Sequence, residues 1–458
     1  MNIFTKIYVK YLSRLRPQTL LVLSFTTVIF IGSILLKQSF SLNGNNISFV
    51  DSLFTSASAT CVTGLVVVDT GTYFSTVGQL IILALIQIGG IGVMSFSVLF
   101  LFFLKGKFGI GSREIIQETL SFFDTIDVKS LLKSVFIFTI TIEGIGALLL
   151  TIRFLFDMSF SEAVYAAVFH SVSAFCNAGF STFSDSLIQY QSDIFVNVII
   201  MLLIILGGLG FVVLYEFNKM RFAKFEFKKF SLHSRVVLKM SIALIFIGAI
   251  LLFLFEYNVS MKDQNLYSKI LSSFFQSVSS RTAGFNTIDI YSLSMPALFT
   301  IIILMFIGAS PASTGGGIKT VTLAVMNAFI SSKLRDSKNV NIEYSTLPFK
   351  VISKAIVIVV FAVTTIVLFS FLITIVELQH IPFNANGDRF LEIFFEVVSA
   401  FGTVGLSTGI THDFSTVGRI LIIILMLIGR VGPLTIASAI GTKKTKDIKY
   451  AKDNLLVG

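Results

Sequence analysis

The chain lacks tryptophan entirely, has only two cysteines and is poor in charged residues. Asp, Glu, Lys and Arg make up 13% of its 458 residues, against roughly 25% in a typical soluble domain. This scarcity of charge excludes a protein whose whole surface faces water. Cys61 and Cys176 are too few for a disulfide framework, and we expect both to be free thiols.

Sequence motifs of catalysis and of nucleotide binding are also missing. The apolar segments contain no HExxH, no Ser/Lys or Ser/His pairing and no paired aspartates, so we predict that the chain is not an enzyme. No GxGxxG motif follows a predicted strand, which argues against a nucleotide-binding domain or an organic cofactor on this chain. The net charge of +10 does not indicate nucleic acid as a partner, because the basic residues stand in short blocks between apolar segments.

Long apolar segments dominate the rest of the sequence. Hydrophobic residues make up 54% of the chain, and the mean hydropathy is +0.88. Stretches of about 18 or more apolar residues are typical of membrane spans, and they must be helical because lipid offers the backbone no hydrogen bonds. We therefore predict an all-α, multi-pass protein of the lipid bilayer with eight spans, near residues 20–36, 77–104, 134–156, 194–215, 236–255, 297–330, 351–376 and 417–440.

The basic residues indicate the orientation of these spans. Five segments that fall on one side of an eight-span protein hold 26 of the 35 Lys and Arg residues. The positive-inside rule places that side in the cytoplasm. The N-terminal tail, 1–17, and the C-terminal tail, 442–458, are then both predicted to be cytoplasmic, in a protein of the plasma membrane. The same basic segments also suit contact with anionic lipid.

A similar stretch recurs in each of the four segments on the other side. The copies read FTSASATCVTG (54–64), FHSVSAFCNAG (169–179), FFQSVSSRTAG (274–284) and FEVVSAFGTVG (395–405). Each begins with a phenylalanine ten residues before its glycine, namely Phe54, Phe169, Phe274 and Phe395. The serine of the third copy stands one position nearer its glycine, which predicts a loop one residue shorter. This repetition divides the chain into four units, 18–104, 131–216, 236–331 and 350–441.

Each repeated stretch is apolar but too short to cross a membrane, which is typical of a re-entrant segment. We predict that each unit consists of a span, a pore half-helix, an extended turn and a second span, and that the four units surround a pseudo-fourfold pore. Rings of carbonyls in such turns replace the hydration shell of a cation, and glycine accepts the positive φ that they require. The alternative is that the glycines only cap helices. The predicted selectivity filter comprises Val62, Thr63, Gly64, Asn177, Ala178, Gly179, Thr282, Ala283, Gly284, Thr403, Val404 and Gly405.

The second span of each unit contains a glycine-rich sequence that we interpret as a break in the helix. These sequences are GGIG (89–92), GGLG (207–210), GASPASTGGG (308–317) and GRVGP (429–433). For the first two, close packing of helices through small residues stays open as an alternative. The third should not persist as a helix, because it combines proline with glycines. We predict that it forms an intramembrane gate loop at 308–318, with a static kink as the alternative; its residues are Ser310, Pro311, Ala312, Ser313, Thr314, Gly315, Gly316 and Gly317.

Few charged residues lie within the predicted spans. A positive charge below a cation filter raises a barrier to passage, so we predict that Arg430 in the fourth break belongs to the gate. An ion pair, or hydrogen bonds to the carboxyl ends of the half-helices, is the alternative. Lys319 is a second candidate for the same role, while Glu143 suits either transport or a buried partner. Arg281 is expected to support the filter from behind, and His170 to pack or to lie in the outer vestibule.

With these four stretches, and with SSRTAGFNT (279–287) in the third, the chain resembles the Trk/Ktr/HKT superfamily of potassium transporters over essentially its whole length. Eight spans without an additional N-terminal pair make it most similar to the bacterial Ktr membrane subunit. The resemblance implies potassium selection, since Gly64 stands where some sodium-transporting plant members have serine. It also implies a gate at the third break, sodium stimulation, a homodimer, and a cytosolic RCK-type ring of nucleotide-binding regulatory subunits.

Two other transport functions stay open. A sodium-coupled carrier of another small solute also uses broken helices, although such folds usually show two repeats instead of four. A sodium-selective member of the same superfamily would share all four stretches. In each case the permeant ions, potassium or sodium, are the only cofactors that we predict.

Overall fold

The computed structural model describes residues 17–44, 46–105, 128–220, 227–379, 381–382, 387–432 and 435. The predicted tails, 1–17 apart from Pro17 and 442–458, lie outside these residues, as do 106–127 and the end of the fourth unit beyond 435. The helices are α1 Pro17–Leu36, α2 Phe49–Thr60, α3 Thr70–Tyr73, α4 Thr76–Lys105, α5 Val128–Phe154, α6 Phe160–Phe175, α7 Ile194–Leu209, α8 Phe211–Met220, α9 Leu232–Glu256, α10 Leu266–Ser279, α11 Met295–Phe306, α12 Thr320–Leu334, α13 Phe349–Leu378, α14 Arg389–Gly402 and α15 Thr416–Val431. A two-stranded antiparallel hairpin pairs β1 Asn341–Ile342 with β2 Ser345–Thr346, and short 3-10 turns occupy Ser39–Ser41, Ile188–Tyr190, Phe227–Lys229, Ile290–Ser292 and Ile410–Asp413.

Four long apolar helices each precede a shorter helix that packs against them: α1 and α2, α5 and α6, α9 and α10, and α13 and α14. Apart from the short α3, the helix that follows each short helix contacts the short helix of the next set. These contacts join α4 to α6, α7 to α10, α11 to α14, and α15 to α2. The last pair connects the end of the chain to its beginning, where Arg419 on α15 forms a salt bridge with Asp51 on α2. The contacts between sets therefore run in a closed ring.

The short helices lie inside, and the long helices form the outer surface. Phe54, Phe169 and Phe395 on the short helices are fully buried, whereas Ile140 and Leu254 on the long helices are 69% and 64% exposed. Large apolar side chains exposed in this way suit a lipid environment. By length and apolar composition, four helices of the described residues qualify as membrane spans, and the bent pair α7 and α8 makes a fifth; the four are Gln18–Leu36, Lys133–Phe154, Leu232–Glu256 and Phe349–Leu378. The count of eight spans stays a prediction.

The first glycine-rich sequence does not break its helix. Helix α4 is continuous through 89–92, which excludes a break there and agrees with the alternative of close packing through small residues. A Cβ on Gly89 would collide with the backbone of Thr60, and one on Gly90 would lie 2.6 Å from the Cys176 sulfur. Glycine is present here because two neighbouring segments approach the helix so closely that a side chain would not fit.

The other three glycine-rich sequences do end helices. Gly210 adopts φ +93°, and α7 and α8 on either side of it are bent by 96°. In the third unit the loop 307–319 separates α11 from α12. Helix α15 ends at Val431, and Gly432 follows with φ +92°, which leaves Arg430 in the last helical turn.

The short helices are longer than the repeated stretches, with 12, 16, 14 and 14 residues. The N-cap side chains of α2 and α10 stabilise the starts of these helices. Ser48 accepts a hydrogen bond from the Asp51 N–H, and Asn265 accepts one from the Ser268 N–H. In the third copy the fully buried aromatic is Phe275 and not Phe274, which corrects the predicted start of that repeat. The third copy has one residue fewer between Ser279 and Gly284 than the other copies have. Its helix residues therefore match those of the other copies one position later in the sequence.

Two carboxylates fasten the long helices to the caps of the helices that follow. Glu256, the last residue of α9, accepts hydrogen bonds from Ser294 N at 2.9 Å and from Ser294 Oγ at 2.5 Å. Glu377 near the end of α13 accepts from Ser415 N at 3.1 Å and from Ser415 Oγ at 2.7 Å. Ser294 and Ser415 are the N-caps of α11 and α15. Each carboxylate therefore fixes the distance between the two helices that flank a short helix.

The hairpin between α12 and α13 is fastened in a similar way. Glu343 forms salt bridges with Arg235 at 2.8 Å and with Lys239 at 2.6 Å, both on α9. The hydrogen bond from Lys239, followed by that from Arg235, holds the pKa of Glu343 below its usual value. The loop that leaves α12 is therefore tied to α9.

We predict that Glu256→Ala destabilises the protein by about 1–3 kcal/mol, because the Ser294 amide and hydroxyl lose their acceptor. The measurement is the midpoint of thermal unfolding in detergent, followed by circular dichroism. Glu256→Gln is the matched control, since it keeps one acceptor oxygen at the same place. Equal midpoints for the two variants would contradict the role of this carboxylate.

Candidate functional site

The carboxyl ends of the four short helices lead into loops with the same backbone conformation. In each loop the residue two positions before the glycine has positive φ, and so does the glycine itself. The first of these residues are Val62 (56°), Asn177 (60°), Thr282 (84°) and Thr403 (49°). The glycines are Gly64 (94°), Gly179 (70°), Gly284 (79°) and Gly405 (92°). Positive φ is costly for β-branched residues, so its recurrence at Val62, Thr282 and Thr403 marks a conformation that the surrounding structure imposes.

One backbone hydrogen bond closes each loop against its short helix. The residue before the glycine donates its N–H to a serine carbonyl, from Thr63 to Ser58 and from Val404 to Ser399 at 2.8 and 2.9 Å. The second loop has the same bond over the same five residues. In the third loop, Ala283 donates to the Ser279 carbonyl at 2.9 Å over only four residues. The third loop is therefore one residue shorter at the position that the sequence predicts.

The four glycines lie next to one another in a ring. A Cβ added to Gly64 would lie 3.2 Å from the Cα of Gly179, and one added to Gly179 would lie 2.9 Å from the Cα of Gly284. A Cβ added to Gly284 would lie 3.2 Å from the Cα of Gly405, and one added to Gly405 would lie 2.9 Å from the Cα of Gly64. All twelve residues predicted for the filter are therefore brought together, three in each loop.

Backbone carbonyls complete this ring. The carbonyl oxygens of Ala178, Ala283, Val404 and Thr63 each lie beside the glycine of the adjacent loop. These four residues are fully buried. Among the described residues, no hydrogen-bond donor reaches any of the four oxygens. Buried carbonyls without a donor are unfavourable, and rings of carbonyls are able to replace the hydration shell of a cation.

The loop 307–319 lies directly below this ring. Gly315 packs against the side chain of Thr282, and Gly316 packs against that of Thr403. Bonds to the bend between α7 and α8 hold the loop in place: Ser310 N donates to Gly208 O at 3.0 Å, Thr314 N to Gly207 O at 3.3 Å, and Phe211 N to Ala312 O at 2.9 Å. The loop therefore packs against the third and fourth loops of the ring on one side and is bonded to the bend between α7 and α8 on the other.

Arg430 and Lys319 both bind carbonyls of this region. The Arg430 guanidinium is buried and donates to the carbonyls of Thr314 and Gly89. Lys319 Nζ donates to the Gly315 carbonyl at 2.6 Å and to the Gly316 carbonyl at 3.3 Å. Neither cation forms a salt bridge with a described acidic residue. Arg430 therefore joins the loop to α4, instead of bonding to the ends of the short helices as the alternative supposed.

The chain matches the family model described as TrkH, cation transport protein, over residues 9–446. It is 40% identical over 447 residues to the Ktr system potassium uptake protein B of Bacillus subtilis, covering 97% of each chain. This chain belongs to the TrkH family of cation transport proteins. The family predicted from the repeated stretches is thereby confirmed.

Two further relatives show how wide this family is. The Potassium/sodium uptake protein NtpJ of Enterococcus hirae is 34% identical over 451 residues, with 97% of this chain and 98% of the relative covered. The crystal structure of the potassium transporter TrkH from Vibrio parahaemolyticus superposes with a TM-score of 0.71, over 92% of this chain and 83% of that one, at 20% identity. The fold is therefore that of TrkH.

Glu143, Arg281 and the two cysteines, which the sequence also singles out, are buried in this TrkH family member. The half-buried Gln87 donates from Nε2 to Glu143 at 3.1 Å, so Glu143 has a hydrogen-bond partner within the protein, and both interpretations of its role stay predictions. Arg281 lies behind the third loop and donates to the Ser241 carbonyl at 3.3 Å. Cys61 and Cys176 are free and fully buried, as predicted.

Two features of the site escaped the sequence. The first is positive φ at Val62 and Thr403, since β-branched side chains give no signal for it. The second is Glu396, a fully buried residue of α14 that lies outside the apolar spans. Its signal is an acidic residue directly after the buried Phe395 of a repeated stretch.

We predict that Gly64→Ser lowers the ratio of rubidium to sodium uptake by about tenfold, because a Cβ at this positive φ pushes against the second loop. The measurement is competitive ion uptake by purified protein in liposomes. Gly44→Ser is the matched control, since Gly44 also has positive φ (76°) but has no atom within 4 Å of its Cβ position. An unchanged ratio for Gly64→Ser would refute the assignment of this ring as the filter.

Proposed function

We propose that this chain takes up potassium across the plasma membrane through a channel-like pore with a four-loop selectivity filter and an intramembrane gate. The observation that carries the proposal is the ring of four buried carbonyl oxygens, to which no donor of the described residues is bonded. A potassium ion on the axis of the ring would supply the missing interaction for all four loops together. The potassium-uptake relatives support the choice of ion.

The filter is proposed to consist of all four loops of one chain. The shared φ pattern and the closed sequence of helix contacts support four units of span, pore helix and span, with the boundaries 18–104, 131–216, 236–331 and 350–441. The carboxyl ends of the four short helices meet at the ring, and their dipoles would add partial negative charge there. A pseudo-fourfold pore in one chain needs no second copy for conduction.

The gate is proposed to be the loop 308–318 together with Arg430. Its position below the ring, its hydrogen bonds to the bend at Gly210 and its contact with the Arg430 guanidinium support this role. Opening requires the loop to leave the axis, which breaks the bond between Arg430 and the Thr314 carbonyl. The three successive glycines permit the backbone rotations that such a movement needs.

The assembly that we propose follows the family. Two copies form a homodimer, both termini lie in the cytoplasm, and an RCK-type ring of nucleotide-binding subunits regulates the pore from that side. Sodium stimulates uptake. A second candidate, conduction of sodium itself, is favoured by one observation, the Enterococcus relative whose name pairs potassium with sodium.

The test of this function is rubidium uptake by the purified full chain in liposomes with a potassium gradient. We expect uptake that potassium suppresses at lower concentrations than sodium does. Liposomes without protein control for leakage. Sodium-dependent uptake of an organic solute without rubidium uptake would overturn the proposal, and stronger suppression by sodium would favour the second candidate.

We predict that Arg430→Ala raises rubidium uptake by about tenfold, because the closed loop loses a charge-assisted hydrogen bond that fixes it to α4. The readout is the initial rate of uptake per reconstituted protein. Arg430→Lys keeps the charge without the bidentate reach of a guanidinium, so an intermediate rate is expected for it. A lower rate for Arg430→Ala, with a normal gel-filtration profile, would contradict the barrier role.

A further inference from the structure

One position of the short helices, directly after the buried phenylalanine, differs from set to set. In α2, α6, α10 and α14 this position holds four different polar residues, namely Thr55, His170, Gln276 and Glu396. All four are buried. Their hydrogen bonds divide the loops into two kinds, and the two loops of each kind lie opposite each other in the ring.

In the second loop, His170 is bonded to the residue two positions beyond the glycine. Its Nδ1 lies 2.8 Å from the Ala166 carbonyl, which only accepts, so Nδ1 carries the proton. Nε2 then accepts from the Ser181 hydroxyl at 2.9 Å. Ser181 Oγ itself accepts from Phe183 N at 2.9 Å, and the His170 ring is stacked on Phe183 with centroids 4.5 Å apart. The outer end of this loop is therefore tied to its pore helix.

The fourth loop repeats the same arrangement with a different acceptor. Ser407, two positions beyond Gly405, donates its hydroxyl to Glu396 Oε1 at 2.5 Å. Ser407 Oγ accepts from Gly409 N at 2.8 Å, as Ser181 accepts from the residue two positions ahead of it. Glu396 also accepts from Thr408 N at 3.0 Å and from Thr411 Oγ1 at 2.9 Å. A pore-helix acceptor and a loop serine thus form one link in each of two loops.

Within the part of the chain that the structure describes, the first and third loops lack this link. Val66 and Asn286 occupy the serine position there. Thr55 donates to the Asp51 carbonyl within its own helix. The Gln276 side chain has no hydrogen-bond partner among the described residues. All four loops are bonded to their helices near the glycine. Among the described residues, only the two loops on one diagonal have this additional side-chain link at their outer ends.

We infer that His170 and Glu396 are positioning residues that set ion selectivity by fixing the outer ends of the second and fourth loops. This inference rests on the proposed function, because it assumes that the ring of glycines selects the ion. A ring that is rigid along one diagonal resists widening toward an ion of another size. His170 and Glu396 form hydrogen bonds with Ser181 and Ser407, which lie two positions beyond the glycines, so each acts on the ring through its serine.

The experiment removes the link from the loop side, where the change is small. Ser181→Ala and Ser407→Ala delete one hydroxyl each, and Val66→Ala at the same position of the first loop is the matched control. The readout is the ratio of rubidium to sodium uptake by the full chain in liposomes. We expect each serine variant to lower this ratio by about three- to tenfold, the effect of losing one buried hydrogen bond, while Val66→Ala leaves it within about twofold.

Two conservative variants separate positioning from general stability. Ser407→Thr keeps the hydroxyl and should retain the ratio. Glu396→Gln keeps an acceptor oxygen and should lower the ratio less than Glu396→Ala does. In the double variant of Glu396→Ala with Ser407→Ala, the two effects should not add, because both changes remove the same bond.

The inference is overturned if Ser181→Ala and Ser407→Ala change the ratio no more than Val66→Ala, while Gly64→Ser still lowers it. It is also overturned if the serine variants lose total uptake at an unchanged ratio, since that result indicates a structural role only. If the unaltered chain transports no rubidium, the proposed function fails as well, so the two failures are distinguishable.

Discussion

The structure depends on one constraint: backbone that is not helical must be fully supported when it lies in an apolar surrounding. Each of the four loops meets it by turning an N–H toward its own short helix, so that the serine carbonyls of Ser58 and its counterparts are used. The carbonyl oxygens of the residues that donate these N–H groups then face the adjacent loops. The short helices, the carboxylates that fix the long helices and the salt bridge between Asp51 and Arg419 all serve to hold these loops at one distance.

Much of this arrangement can be read from the sequence, and the reasons for the exceptions are physical. Apolar length and the four spaced glycines predict the helices and the ring, because lipid and positive φ leave few alternatives. Glycine alone does not tell a break from a close contact: Gly89 remains helical beside Thr60, whereas Gly210 turns the chain through 96°. The difference lies in the neighbouring chain, which no local pattern reports. Val62 and Thr403 have positive φ for the same reason, since tertiary packing overrides their own preference.

The third set departs most from the repeat in its backbone. The third loop is one residue shorter, and the helix after it gives way to a segment that hydrogen-bonds to the bend of the second set and to Arg430 of the fourth. Three of the four sets thus meet at Thr314. A movement of any one of these three sets is transmitted to the others through hydrogen bonds to backbone carbonyls. A side-chain substitution within this segment does not remove those bonds.

The four loops are encoded separately in one chain, and this has a consequence for how such a site evolves. In an assembly of four identical chains, a single codon change alters every loop at once, and a fourfold disturbance at a crowded axis is seldom tolerated. Here Gly64 can change while Gly179, Gly284 and Gly405 stay as they are. Under the proposed function, graded shifts in ion preference are therefore open to single mutations, and unequal loops such as the third can persist as inherited differences.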